Sequence, residues 1–200
     1  MKTVAIIQAR LGSKRLPNKV LMEIVPGISM LEMVVRKVMM SILVDEVTLV
    51  TRDENLVKIA KMMGILHTMW IESHRDIIAE YHVMAKESQS DIIVRLTADC
   101  PLIQPQEIDK CIQTFLDNEV DLVYNTDCEK GDMTGDGLDV EVFSRGALEM
   151  AHKYAKERNH VTSWMRGNLK TLFVPAPDFD GCSVDTQEDY ERVCDILRRS

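Results

Sequence analysis

Short runs of Val, Ile and Leu alternate along this chain with longer segments in which apolar residues recur at helical spacing. That alternation narrows the fold more than any other feature. The runs fall at residues 3–8, 46–51 (EVTLVT), 65–69, 91–96 (DIIVRL), 121–125, 138–143 and 171–174. Between them, residues 30–42, 54–63, 75–88, 105–117 and 144–156 carry the helical pattern. Strands separated by helices are joined by crossovers, which make neighbouring strands parallel and lay the helices on the sheet. The expectation is an α/β fold with a mainly parallel central sheet and helices on both faces. Two hundred residues, 46% of them hydrophobic, are enough for one core, so a single domain over 1–200 is expected. The chain closes on VDTQEDYERVCDILRR, where Thr186 and Asp189 resemble a capping box and Tyr190, Val193 and Leu197 share one helix face. The 13 methionines fall largely in the helical segments, where they are expected to fill core rather than bind metal.

Several function classes are excluded at this level. No apolar stretch is long enough to span a bilayer, and TVAII is too short for the core of a signal peptide, so a cytoplasmic protein with no membrane partner is expected. The five cysteines are widely spaced with no C-x-x-C pair, which reads as reduced and mostly buried thiols. The five histidines form no metal-ligand pattern, so no zinc site is expected. The stretch CEKGDMTGDG, residues 128–137, reads as a mobile loop. Charge is unevenly spread: residues 1–40 hold seven basic and two acidic residues in a chain whose net charge is −8. So compact a basic region suits a small anionic ligand and argues against nucleic acid.

The basic residues concentrate just after the first apolar run, in VAIIQARLGSKRLPNKVL. In open α/β sheets, ligands sit beyond the carboxyl ends of strands. The loop has one glycine, Gly12, and matches neither G-x-G-x-x-G nor G-x-x-x-x-G-K-[ST]. It offers a turn of small residues, Ala9, Gly12 and Ser13, whose backbone amides can approach an anion, flanked by Arg10, Lys14, Arg15 and Lys19. A triphosphate fits that description; a solvated basic turn is the plain alternative. A triphosphate site normally needs a divalent metal, which directs attention to acidic residues at other strand ends. Asp99 follows the run at 91–96 in RLTADCPLI and is otherwise an ordinary turn aspartate. Asp185 precedes a helix whose capping role is already filled by Thr186 and Asp189. In GDGLDVEVF, Asp139 and Glu141 lie two residues apart, on one face if the segment is a strand.

The segments QARLGSKRLPNKVL, RLTADCPLI, DGLDVEVFS, RNHVT and VDTQEDY resemble, in order and spacing, those of the SpsF-type cytidylyltransferases, named for a spore coat polysaccharide protein. The first and last are also similar to CMP-Kdo synthetases. The resemblance covers nearly the whole chain. It implies a Rossmann-like nucleotide-diphospho-sugar transferase fold and a Mg²⁺-dependent transfer of CMP from CTP to a sugar acid or related acceptor, with release of pyrophosphate, for a surface glycan. It further implies that Arg10, Ser13, Arg15 and Lys19 hold the triphosphate; Ala9, Gly12 and Thr97 complete the expected nucleotide-binding set, and Arg15, Lys19 and Asp99 are the expected catalytic residues. Asp99 and Asp185 would hold Mg²⁺, and Asp139, Glu141, Arg158 and His160 would face the acceptor. His160 reads either as a group that orients or deprotonates the acceptor hydroxyl or as a helix-start histidine satisfied by backbone. Asn159, Gln187 and Gly135 stand where the family commonly has Glu, Pro and Pro. The acceptor stays open between a sugar acid and a sugar or polyol phosphate, the assembly between a monomer and a homodimer. A non-catalytic nucleotide-binding regulator is the reading from another class.

Overall fold

Val4, Ala5, Ile6 and Ile7 are consecutive, apolar and fully buried, which only a strand covered on both faces allows. They form the middle of the sheet. The computed structural model describes residues 1–65, 68–70, 76–126, 136–177 and 181–199. Its strands are β1 (Thr3–Ala9), β2 (Glu23–Val25), β3 (Ile28–Ser29), β4 (Glu46–Thr51), β5 (Thr68–Trp70), β6 (Ile92–Thr97), β7 (Leu122–Tyr124), β8 (Glu141–Ser144) and β9 (Thr171–Phe173). Its helices are α1 (Met30–Val38), α2 (Glu54–Met62), α3 (Ile77–Glu87), α4 (Pro105–Asp117), α5 (Arg145–Tyr154), α6 (Ser163–Asn168) and α7 (Gln187–Arg199).

Among the described residues the main sheet has seven strands in the order β5-β4-β1-β6-β8-β7-β9, with β2 and β3 forming a separate hairpin. β1 is parallel to β4 on one side and to β6 on the other, with Ile7 opposite both Leu49 and Leu96. β8 runs antiparallel to both β6 and β7. Side chains of β1 alternate between two cores, as a pleated strand requires. Ala5 and Ile7 join Leu31, Val35, Leu56 and Ile108 of α1, α2 and α4. Val4 and Ile6 join Tyr81, Met84 and Leu148 of α3 and α5 on the opposite face. The sheet is mainly parallel with helices on both faces, as the alternation of patterns implied.

The strand order has a functional consequence. From β1 the chain moves to β4 and β5 on one side, then returns to place β6 on the other. The carboxyl ends of β1 and β6 therefore border a topological switch point, where connections leave in opposite directions and a crevice opens. A third cluster, Ile24, Met30, Leu102, Val184 and Val193, packs α7 and the β2–β3 hairpin beside that crevice.

Several boundaries differ from the sequence reading. The helix expected over 30–42 stops at Val38, and Met40 and Ile42 beyond it are exposed. The strand expected over 138–143 starts at Glu141 because the backbone before it is bonded by a side chain: Asn125 donates to Leu138 O and accepts from Val140 N, both at 2.7 Å. The run at 65–69 becomes a strand at 68–70, after Gly64 in a left-handed turn (φ 82°). The β2–β3 hairpin and α6 were not expected. Of the methionines assigned to the core, Met30, Met84 and Met165 are there, whereas Met39, Met40, Met62 and Met150 are exposed. Cys100, Cys111, Cys182 and Cys194 are buried free thiols. Most of the loop expected over 128–137 lies outside the described residues. Among the described residues no helix is long and apolar enough to cross a membrane.

Candidate active site

The basic loop is folded by its own backbone. Leu11 N donates to Asp53 Oδ2 at 2.8 Å, anchoring the loop to the start of α2. Ser13 N and Asn18 N both donate to Leu11 O, at 2.9 and 3.1 Å, and Leu16 N donates to Ser13 Oγ at 3.3 Å. The Ser13 amide, expected to approach an anion, is thus engaged within the turn. A Cβ at Gly12 would meet nothing within 4 Å, so that backbone faces open space. Asn18 takes the left-handed conformation (φ 59°), which asparagine tolerates better than most residues, and turns the chain into a short 3₁₀ turn at Lys19–Leu21. The result is that Arg10, Lys14 and Arg15 stay exposed while Lys19 is turned inward, its side chain only 7% exposed.

Lys19 joins two segments that are far apart in sequence. Asp99 sits in the turn after β6, held by Ala98 N donating to Gln8 O at 3.0 Å. Its carbonyl accepts from Val184 N at 2.8 Å, which brings in the segment leading to α7. That segment is fixed by the capping box read from sequence: Thr186 N donates to Asp189 Oδ2 at 2.8 Å and Asp189 N to Thr186 Oγ1 at 3.2 Å. Lys19 Nζ donates to Asp99 Oδ2 (2.7 Å), Asp185 Oδ1 (2.8 Å) and Val184 O (2.6 Å). Arg15 pairs with the other Asp185 oxygen at 2.6 Å. Burial works against charge on Lys19, but Asp99 and Asp185 outweigh it and hold its ammonium above the ordinary lysine range. Burial likewise works against charge on Asp185, and the bonds from Lys19 and Arg15 prevail, drawing its carboxyl below the usual range.

A cleft of about 460 Å³ opens over this junction, between the carboxyl ends of β1, β4 and β6 and the start of α3. Ala9, Arg10, Lys19, Thr97 and Asp99 of the sequence-derived set line it. The sequence reading missed Gln8, Arg52, Glu80 and Arg95, which line it too, as does Asn159 of the RNHVT segment. Arg52 Nε donates to Glu80 Oε1 at 2.6 Å, and burial of Glu80 raises its carboxyl despite that partner. Glu80 had a legible signal: it sits in the apolar stripe of Ile77, Tyr81 and Met84, where an acidic residue has no packing purpose.

The acceptor-side residues separate into two groups. Asp139 lies beside the Asp99 turn, accepting from Thr126 Oγ1 (2.6 Å), Gly137 N (3.0 Å) and the Cys100 thiol (3.5 Å). Burial raises its carboxyl above the usual range, with a further push from Asp136. Glu141, by contrast, is only 2% exposed, and its oxygens are taken by Arg95 (2.7 Å), Arg166 (2.7 Å) and the Thr162 hydroxyl. It is the centre of a buried ion network under the sheet rather than a group facing an open cleft. Burial alone would raise its carboxyl, but Arg95, His160 and Arg166 pull it down to about 2. Arg158 is also turned to structural work: its Nε bonds both oxygens of Asp76, at 2.9 and 3.0 Å, and Nη1 donates to His152 O at 2.6 Å. Asp76 caps α3 through Ala79 N, so Arg158 pins the helix that walls the cleft. His160 is half-buried just before α6, close enough to Glu141 to depress its carboxyl.

The Asp99–Asp185 pair suits a hard cation. Two carboxylates and the Val184 carbonyl converge on one point, an all-oxygen donor set of the kind that binds Mg²⁺ when substrate phosphates supply further oxygens. Among the described residues there is no group of three or more His, Cys, Asp and Glu side chains that would hold a metal alone.

Residues 4–195 match the family model described as cytidylyltransferase. The spore coat polysaccharide biosynthesis protein SpsF of Bacillus subtilis is 26% identical, over 98% of this chain and 86% of its own length. A 3-deoxy-manno-octulosonate cytidylyltransferase of Koribacter versatilis is 23% identical, over 99% of this chain and 91% of its own. The solved structure of a cytidylyltransferase from Leptospira borgpetersenii superposes with a TM-score of 0.88 at 29% identity, covering all of this chain and 88% of that one.

Proposed function

The chain belongs to the cytidylyltransferase family, and on that premise we propose that it transfers CMP from CTP to the hydroxyl of a sugar acid, releasing pyrophosphate. The observation that carries this reading is the junction at the switch point, where one buried lysine and two aspartates from distant segments meet below a cleft rimmed by a basic loop. In the reaction an acceptor oxygen forms a bond to the α-phosphorus as the bond to the β-phosphate oxygen breaks. Catalysis is then mainly positioning and neutralisation of charge on phosphate oxygens. Arg10, Arg15 and Lys19 donate to the β- and γ-phosphates and stabilise the pyrophosphate as it leaves. Asp99 and Asp185 are the residues that would hold Mg²⁺, which would act as a Lewis acid on the phosphate oxygens. Gln8 and Thr97, which line the cleft, would contact the nucleoside. Asp139 offers a carboxylate to an acceptor hydroxyl beside the Asp99 turn. Support for a sugar-acid acceptor comes from the Koribacter relative, whose name specifies such a substrate.

The test is pyrophosphate release from CTP and Mg²⁺ in the presence of a panel of sugar acids and of sugar and polyol phosphates. Release that depends on a sugar acid supports the proposal. Release that depends only on a phosphorylated acceptor replaces it with transfer giving a CDP-linked product, and nucleotide binding without turnover on any acceptor points to a regulator.

A further inference from the structure

The Lys19 ammonium has three N–H donors and three oxygen partners, each within hydrogen-bond distance: Asp99 Oδ2, Asp185 Oδ1 and Val184 O. The oxygens come from two segments and surround the charge as a cation's ligands would. Arg15 occupies the remaining Asp185 oxygen. Two of the cations expected to grip phosphates, Arg15 and Lys19, are therefore spent on the carboxylates expected to grip metal. We propose that Lys19 is a tethered stand-in for the divalent cation, keeping Asp99 and Asp185 together before nucleotide binds and yielding their oxygens when a polyphosphate draws its ammonium away. This rests on the reading of Asp99 and Asp185 as the metal-holding pair.

The physical argument is one of exclusion. Two carboxylates brought to one partly buried point repel each other, and a positive charge between them removes that cost. A divalent cation placed among the same oxygens would sit within a few ångströms of the ammonium, a like-charge contact too unfavourable for both to stay. Lys19 lines the cleft and opens the 3₁₀ turn directly after the basic loop, so a phosphate bound to that loop is the nearest alternative partner for its charge. It follows that the metal enters with the nucleotide and not before it. Each ligand then favours the other through the same lysine, a reciprocal coupling.

The experiment measures Mn²⁺ binding by electron paramagnetic resonance to the full chain as wild type, Lys19→Met and Lys19→Gln. Without nucleotide, Lys19→Met should bind Mn²⁺ at least about tenfold more tightly than wild type, and adding Asp185→Asn should abolish the gain. With CTP present the difference should narrow, because wild-type Lys19 has then moved. Heat denaturation covers a variant that folds poorly: Mn²⁺ should raise the midpoint of both Lys19 variants more than that of wild type, or restore their folding. Wild type that binds Mn²⁺ with CTP, beside variants that gain neither affinity nor stability from Mn²⁺ alone, overturns the role of Lys19 and leaves the transferase reading standing. Absence of Mn²⁺ binding in every protein, even with CTP, overturns the metal-holding pair and the stand-in together.

Discussion

Replacing Glu141 with glutamine should make the protein markedly less stable near neutral pH and remove a specific part of its acid sensitivity. The carboxylate is buried between two guanidiniums whose side chains are themselves only 15% and 13% exposed. Its folded value of about 2, against the usual 4.5, corresponds to roughly 3 kcal/mol of stability at neutral pH. Because the folded value lies below the unfolded one, that stability is fully present above about pH 5 and is lost as pH falls toward 2. Roughly 2 kcal/mol of it should be gone by about pH 3. The Glu141→Gln variant keeps the shape but leaves Arg95 and Arg166 without their counter-charge, so a loss of about 3 to 5 kcal/mol is expected. For a chain of this length that lowers the midpoint of thermal unfolding by roughly 6 to 20 °C. Urea unfolding followed by circular dichroism, at neutral pH and near pH 3, measures both effects. A variant within about 1 kcal/mol of wild type at neutral pH, or one with the same loss on acidification, would refute the assignment of this network as a stabilising ion cluster.

Three further outcomes follow from the site. Arg15→Ala should leave stability unchanged, since its side chain is 65% exposed and surface pairs contribute little, yet weaken CTP binding by about tenfold or more in calorimetric titration. Equal affinity would return the loop to a solvated surface. Asp99→Asn and Asp185→Asn should each remove most pyrophosphate release, with the double variant little worse than the poorer single one, because residues acting as a unit are non-additive. Multiplicative losses would separate their roles. Gly137→Ala should destabilise by about 2 kcal/mol or more, since φ there is 89° and a Cβ would stand 2.6 Å from the Cys182 carbonyl carbon and oxygen. The same shift would disturb the segment carrying Val184 and Asp185, so an unchanged midpoint with unchanged activity contradicts the close approach.

The sheet was legible because buried parallel strands need continuous apolar runs and their crossover helices need apolar stripes, and both patterns are strong here. The ends were not. The helix from Met30 stops four residues early because Met39, Met40 and Ile42 look like core by type while pointing to solvent. The six-residue α6 buries only Met165 and leaves no periodicity to read. In the site, the basic loop and Asp99 stood out as charges following buried runs, and Asp185 as a carboxylate left over by the capping box; the structure joins Arg15 and Lys19 of the loop to those two aspartates. Arg95 could not be distinguished from an exposed residue in DIIVRL until its antiparallel pairing opposite Glu141 was known. Glu141 and Arg158 carry motif positions, yet their partners Arg166 and Asp76 lie 25 and 82 residues away, and sequence spacing alone does not disclose such long-range pairing.

Whether the junction of Lys19, Asp99 and Asp185 seats the phosphates of CTP is decided by thermal unfolding of wild type and Asp185→Asn with each of CTP, UTP, ATP and GTP in Mg²⁺. CTP should stabilise wild type most, by about 2.7 kcal/mol at a hundredfold excess over Kd, and should lose nearly all of that effect in the variant. A preference for a purine nucleotide, or equal stabilisation of the two proteins by CTP, would contradict that seating.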